Sequence, residues 1–518
     1  MTKTQTPQSK KTSSPGNSAA TKSNQNSKPI LCQNFSDGEW VQPSGKNFDI
    51  LSPYTNQVIG SSKETSEKDL VKMVAKAVMA QKNWGDTPIK ERSQVMFRFR
   101  ELLLENMKSI CAQISNECGK TLPEAEAEVL KGIEVIEFAL SLQNLDAGGK
   151  IEVSRGVFCE YRREPLGVVA AITPFNFPAM VPLWMIPIAI TLGNSFIWKP
   201  SDKTPLTSIL IADLLKKAKL PDGVFNIAQG GKLTVDAILK NADIKAIGFV
   251  GSTAIAKYIY QEGSKNMKRV LALGGAKNHI ILMPDADLTL TGKGIADSFT
   301  GCAGQRCMAA SVLCTVASTA QEKKQIAALI EAIVEQSRKI TCGDKMGAII
   351  TKTSLTNLNS AVEKAQKNDA KILLDGRAPK VDSTFKNGNW IAPTILDHVK
   401  PGTAAATEEL FGPVLSIVHC KSLHEALEVH KSSPYGNALS VFTQNGGVAE
   451  QVAAHATAGM IGINIGVPVP REPFSFGGTN ESKFGHGDIT GVHSLNFWTD
   501  IKKITTKWAE QKDASWMG

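Results

Sequence analysis

Apolar residues recur every three or four positions in "ETSEKDLVKMVAKAVMAQKNW", at Leu70, Met73, Val74, Ala77 and Val78. That spacing lines one face of an α-helix, and Ser66 with Asp69 has the form of a capping box at its start. Two more helices are predicted, over 88–116 and over 123–145, the second with Pro123 in its first turn, where a missing N–H costs nothing. The period then changes. "KIEVSRGVFCEYRREP" alternates on either side of Ser-Arg-Gly and predicts a projecting hairpin. From residue 167 the short apolar runs "GVVAAI", "SFIWK", "VFNIA" and "IKAIGFV" alternate with helix-length segments, the pattern of a doubly wound parallel sheet. "HIILM", "LSIV", "LSVFT" and "GINI" extend the alternation through 278–465 and predict a second α/β domain. The aromatic and β-branched "LNFWTDIKKITTKW" reads as a late strand without an obvious partner, suited to pairing with another subunit.

At 518 residues the chain exceeds what one core can organise, and about two to four domains are expected. The most apolar stretch, "AMVPLWMIPIAITLGNSFIW", is broken by prolines, Gly193 and Asn194. It reads as a buried helix and strand, short of the roughly 18–20 apolar residues a membrane helix needs. Nine cysteines without a CxxC pair point to reduced thiols and a cytoplasmic protein. The eight histidines form no HExxH or Cys/His motif, so no metal site is expected. Five lysines and no acidic residue lie in residues 1–30, which read as a disordered tail. Without arginine or an amphipathic helix this tail makes a poor mitochondrial presequence, and without interleaved aromatics a poor nucleic-acid binder.

Neither GxGxxG nor GxxxxGKS occurs, so a phosphate cradle must be sought elsewhere. Gly251 and Ser252 stand where a strand gives way to a helix, a place for an anion or simply an N-cap. Lys199 and Asp202 follow another strand in "FIWKPSDKTPL". Such an ammonium can bond ribose hydroxyls, and such a carboxylate favours NAD over NADP; a solvated turn is the plainer reading.

Together these segments resemble the aldehyde dehydrogenase superfamily, through "TPFNFP" at 173–178, "WKPSD" at 198–202, "FVGST" at 249–253, "GQRC" at 304–307 and "EELFGP" at 408–413. The resemblance extends to nearly everything after about residue 35. "GAKNH" at 275–279, "GQRCMA" and "VPVPREPFSF" are similar to the CoA-acylating malonate and methylmalonate semialdehyde dehydrogenases. By resemblance, Cys307 is the nucleophile and Asn176 the oxyanion donor, while Cys302 is a packed thiol. Glu409 would hold the nicotinamide ribose with Phe411 at the ring, backbone near Thr173, Phe175 and Gly274 would line the cleft, and Lys203 would border the adenosine. Thiolate chemistry at neutral pH agrees with that choice of nucleophile.

Hydrolytic relatives carry a water-activating glutamate in an E-L-G-G run. Here "LALGGAKNH" puts Ala272 or Leu273 in its place, depending on register. Neither accepts a proton, whereas a thiol needs less help than water, so coenzyme A is expected to discharge the acyl group. Arg306 suits a substrate carboxylate or a structural ion pair. Lys131 replaces a second carboxylate-binding arginine of the branch; it keeps the charge and loses bidentate geometry.

The resemblance therefore implies an α/β, aldehyde dehydrogenase-like fold. Residues 31–146 and 165–272 are expected to form a Rossmann-type NAD-binding domain and 273–480 an α/β catalytic domain. Residues 147–164 and 481–518 would form a small oligomerisation sheet in a homodimer or homotetramer. The expected reaction is semialdehyde, coenzyme A and NAD to acyl-CoA, with loss of CO₂ from a malonate-type substrate. Two rivals stand beside it: a hydrolytic dehydrogenase using a carboxylate such as Glu409, and a catalytically silent NAD-binding scaffold.

Overall fold

The structure is a computed structural model that describes residues 28–145 and 148–508; the tail expected over 1–30 lies outside it as far as residue 27. The helix Glu67–Asp86 opens on the expected capping box, Ser66 accepting from the Asp69 N–H and the Asp69 carboxylate accepting from the Ser66 N–H. Its buried stripe is Leu70, Met73, Val74, Ala77 and Trp84. The helix expected over 88–116 is two helices, Ile89–Glu105 and Met107–Cys118. Asn106 divides them: its side chain donates to the Leu102 carbonyl at 2.8 Å, competing with the backbone ladder. The next helix, Leu122–Leu145, is buried along most of its length.

Five parallel strands form the centre of an eight-stranded sheet, in the order Arg269–Leu273, Ile244–Val250, Val168–Ile172, Ser195–Lys199, Phe225–Ile227. Val168–Ile172 and Ser195–Lys199 are buried at every position, as strands covered on both faces must be. The chain leaves the central strand Val168–Ile172 in one direction and returns to build the other half, so a crevice opens at the carboxyl ends of these strands. Thr173, the Lys199–Asp202 turn, Gly251 and Gly274 all follow directly from those ends.

A second sheet of seven strands runs Lys371–Leu374, Thr394–Asp397, Val414–Cys420, Ala310–Val316, Asn278–Leu282, Ala438–Phe442, Met460–Ile463, parallel except at its first pair. It carries its own buried layers.

The hairpin forms as expected, from Gly149–Ser154 and Val157–Pro165. The late strand Thr499–Lys507, expected to seek another subunit, pairs with Val157–Pro165 of its own chain over nine residues. Only this part of 481–508 joins the hairpin. Lys483 and Phe484 instead extend the eight-stranded sheet beside Leu273 and Ala272, and the helix Ser494–Trp498 docks against the core. One buried amide fastens the arrangement: Asn194 donates to the Ala189 and Trp498 carbonyls and accepts from the Leu166 and Gly167 N–H groups. Trp498 is fully buried against Phe196 and Phe497. Replacing it with alanine should cost about 3–5 kcal/mol, read as a lower urea midpoint with an unchanged m-value.

Candidate active site

Cys307 lies between the two sheets, three residues before the strand Ala310–Val316. The approach to it is an unusual turn: Cys302, Ala303 and Gly304 adopt positive φ of 54°, 53° and 67° in succession. A Cβ on Gly304 would stand 2.1 Å from the Gly412 carbonyl carbon. Only glycine lets this loop lie flush on the "EELFGP" segment. Gln305 pins the turn, its side chain donating to the Ala348 carbonyl and accepting from the Ile350 N–H. The Cys302 N–H donates to Glu124 at 2.6 Å. Cys302 itself is buried, its thiol pushed up by burial.

The Cys307 carbonyl accepts from two side-chain amides, Asn278 at 2.7 Å and Asn437 at 3.0 Å. Burial, and secondarily the Glu409 carboxylate, push the Cys307 thiol up to about 12; Arg306 and the N–H groups of Cys307 and Met308 pull the other way. Asn176, nearly fully buried, donates one amide N–H to the Gln305 carbonyl at 2.8 Å and keeps a second to give. Glu409 accepts from the Ala276 N–H at 3.0 Å, and burial raises its carboxyl to about 7 against the pull of that N–H and of Lys277. Lys277, buried, is lowered to about 7 despite Glu409 and Glu408. Phe411, at φ +56°, meets Phe175 edge to face at 5.9 Å.

At the other end of the crevice Lys199 donates to the Gly230 carbonyl at 2.7 Å, and burial lowers it to about 8 against the opposing pull of Asp202 and Glu64. Asp202 faces Lys203 at 3.5 Å, and both reach solvent. Ser252 precedes the helix Thr253–Lys265 without capping it, so its first N–H groups remain available. Thr173 accepts from the Trp198 indole and so stands beside the same turn. A Cβ on Gly274 would come 2.6 Å from the Glu481 carbonyl oxygen, and one on Gly275 would come 2.5 Å from Glu409. The backbone here is flush by necessity. Uncapped N–H groups at one strand end, a lysine and a carboxylate after a neighbouring strand, and bare backbone beside them fit a dinucleotide.

The two cations expected to take substrate carboxylate already have partners. Arg306 donates from Nη2 to the Asp297 and Ser298 carbonyls at the end of the helix Leu288–Thr300, leaving a buried Nε with no hydrogen-bond partner among the described residues. Lys131 lies between Glu134 at 2.9 Å and Glu472 at 3.0 Å. Ala272 and Leu273, the two positions proposed in place of the glutamate, are both buried and apolar.

Sequence reasoning missed the residues that hold this loop. Asn278 stands inside "GAKNH", but Asn437 in "YGNALS" carries no local signal. Glu128 was also passed over. It is buried, pairs with Lys120 at 2.5 Å, and accepts the N–H groups of Ala179 and Met180 just past Asn176.

Because the raised thiol is protonated at neutral pH, alkylation of Cys307 by iodoacetamide should climb about tenfold per pH unit from pH 7 to 9. Glu409→Gln removes the nearby negative charge, and should speed alkylation at pH 8 about threefold to tenfold. Peptide mass spectrometry of the labelled cysteine measures both.

The sequence model of the aldehyde dehydrogenase family matches residues 40–504. The methylmalonate-semialdehyde/malonate-semialdehyde dehydrogenase [acylating] of Rattus norvegicus mitochondria is 39% identical over 483 residues, 92% of this chain and 89% of that one. The malonate-semialdehyde dehydrogenase of Pseudomonas aeruginosa is 39% identical over 487 residues, 92% of this chain and 96% of that one. Among solved structures, methylmalonate-semialdehyde dehydrogenase from Oceanimonas doudoroffii superposes with a TM-score of 0.90 at 37% identity, covering 93% of this chain and 99% of that one. A Sinorhizobium meliloti structure complexed with NAD and assigned the same activity gives a TM-score of 0.91 at 37% identity, covering 94% and 99%.

Proposed function

This chain belongs to the aldehyde dehydrogenase family, and on that premise we propose that it oxidises malonate or methylmalonate semialdehyde to an acyl-CoA with NAD, through a thioacyl intermediate on Cys307. The observation that carries the CoA-acylating reading is the buried apolar pair Ala272 and Leu273, where a water-activating carboxylate would otherwise stand. The naming of the relatives agrees with it.

The Cys307 thiolate adds to the aldehyde carbon, and the new alkoxide faces the free N–H of Asn176 and the Cys307 backbone. Losing one such donor typically costs about 100- to 1,000-fold in rate. NAD, when bound, supplies the hydride acceptor that turns the thiohemiacetal into a thioester. Glu409 and Phe411 position the nicotinamide end, and Lys199 and Asp202 the adenosine ribose. The coenzyme A thiolate then attacks the thioester carbon, leaving acyl-CoA and returning the Cys307 thiolate. The thiol's high resting pKa means that the proton must be removed, or the thiolate favoured, as the site fills. We place Arg306 against the substrate carboxylate, using the guanidinium face that Asp297 and Ser298 leave free.

A second reading has one observation in its favour. Glu409 lies close enough to influence Cys307, and with its carboxyl near 7 can accept a proton at neutrality, as a hydrolytic base must.

The deciding experiment follows NADH from malonate semialdehyde with and without coenzyme A. A burst near one equivalent, sustained only with coenzyme A, is expected; equal sustained rates without it would favour water and Glu409. Cys307→Ala should abolish the burst and Cys302→Ala should leave it nearly intact. Since Glu472 engages Lys131, Glu472→Gln should lower KM for malonate semialdehyde about threefold to tenfold while changing kcat/KM for propanal by less than about twofold. That comparison tests whether Lys131 takes part in holding the substrate.

A further inference from the structure

Three side chains of metal-ligating type meet at the ends of two adjacent strands within the seven-stranded sheet. Asp397 ends the strand Thr394–Asp397, and His419 lies near the end of its neighbour Val414–Cys420. The Asp397 Oδ1 is 2.7 Å from His419 Nε2, and Oδ2 is 3.6 Å from His398 Nε2. One donor atom from each residue lies within 4.8 Å of the other two. Adjacent residues of a strand ordinarily point to opposite faces. His398 escapes that rule through a positive φ of 55°, and its ring stands 4.6 Å from that of His419.

We propose that Asp397, His398 and His419 form a binding site for a transition-metal ion of the zinc class. Two imidazole nitrogens and one carboxylate suit zinc, nickel, cobalt or copper, whereas calcium and magnesium demand oxygen. Ligands about 2.0–2.2 Å from a tetrahedral ion stand roughly 3.3–3.5 Å from one another. The three donor atoms lie within 4.8 Å of one another, with His419 2.7 Å from one Asp397 oxygen and His398 3.6 Å from the other, so closure on an ion needs modest side-chain adjustments. A supporting contact is already built. Thr315, paired in register with His419, has its hydroxyl 2.9 Å from His419 Nδ1. With an ion on Nε2 the ring proton moves to Nδ1, where this hydroxyl is placed to accept it, the arrangement that orients histidine ligands at metal centres. The Asp397 side chain is only 13% exposed, while the two histidines open to solvent, where water completes the coordination.

The site's position gives it a task. The strands it joins flank the connection 398–413, which carries Glu409 and Phe411. A bound ion ties the start of that connection to the far end of the strand that follows it, without touching the reacting atoms. It is therefore expected to raise thermal stability and leave chemistry nearly unchanged.

The test is calorimetric titration of the chelator-stripped full chain with Zn²⁺ alone. One micromolar-range equivalent is expected in the wild type and in Cys307→Ala. It should weaken at least about tenfold in His398→Gln and His419→Ala, and about tenfold in Thr315→Val, which touches no ion. Co²⁺ bound to the wild type should give weak d–d bands without an intense thiolate charge-transfer band, a readout independent of whether any variant folds. The proposal is overturned by the absence of binding below millimolar Zn²⁺, by stoichiometry and affinity unaffected in folded histidine variants, or by a thiolate band.

Discussion

The carbonyl oxygen of Cys307, held by the amides of Asn278 and Asn437, is the contact on which the candidate chemistry depends. A side chain can be no better placed than the backbone that carries it. Asn278 opens one strand of the seven-stranded sheet and Asn437 directly precedes the neighbouring strand, while Asn176, in the loop that follows the strand Val168–Ile172 of the other sheet, donates to the preceding residue but one. The backbone of the proposed nucleophile is thus held by residues at or beside strand ends of both sheets, the fixity that a reacting atom requires. The left-handed run at 302–304 and the close approach of Gly304 to Gly412 are the backbone consequences of bringing those surfaces together.

Burial shapes the electrostatics of the same region. It drives Cys307 and Glu409 upward and Lys199 and Lys277 downward, in each case toward the uncharged form. Opposite charges soften the effect without reversing it. A cleft of this kind responds strongly to any charge that enters, because few fixed ions compete and little water screens. On the proposed reading, activation of Cys307 is therefore coupled to ligand binding.

Much of this was legible in the sequence. The alternation of apolar runs predicted the parallel sheets, and glycines at strand ends marked where backbone must stay bare. The capping box and hairpin were local signals with local outcomes. What escaped were relations between distant segments. Asn106 breaks a helix whose apolar period continues across it, through a side-chain bond that periodicity does not register. Of the two carboxylates that engage Lys131, Glu134 is a helical neighbour, but Glu472 stands 341 positions away. Asn437 and His398 belong to the same class: their surroundings are made by strand order, which no window of sequence contains. The partner of the strand Thr499–Lys507 was hidden for the same reason.

That last pairing bears on how the molecule is made. Val157–Pro165 offers its hydrogen-bonding edge to residues 499–507, which are synthesised more than 300 residues later. Until then the hairpin carries an open edge with Ile151, Val153 and Tyr161 exposed, the kind of template that recruits wrong strands. Polar residues at Lys150, Glu152, Glu160, Arg162 and Glu164 are interleaved with these, and charge at an unpaired edge discourages such pairing. The ladder has high contact order, and its loop-closure entropy must be met late. Every strand of the two large sheets thus precedes, in order of synthesis, the segment that closes the small hairpin sheet.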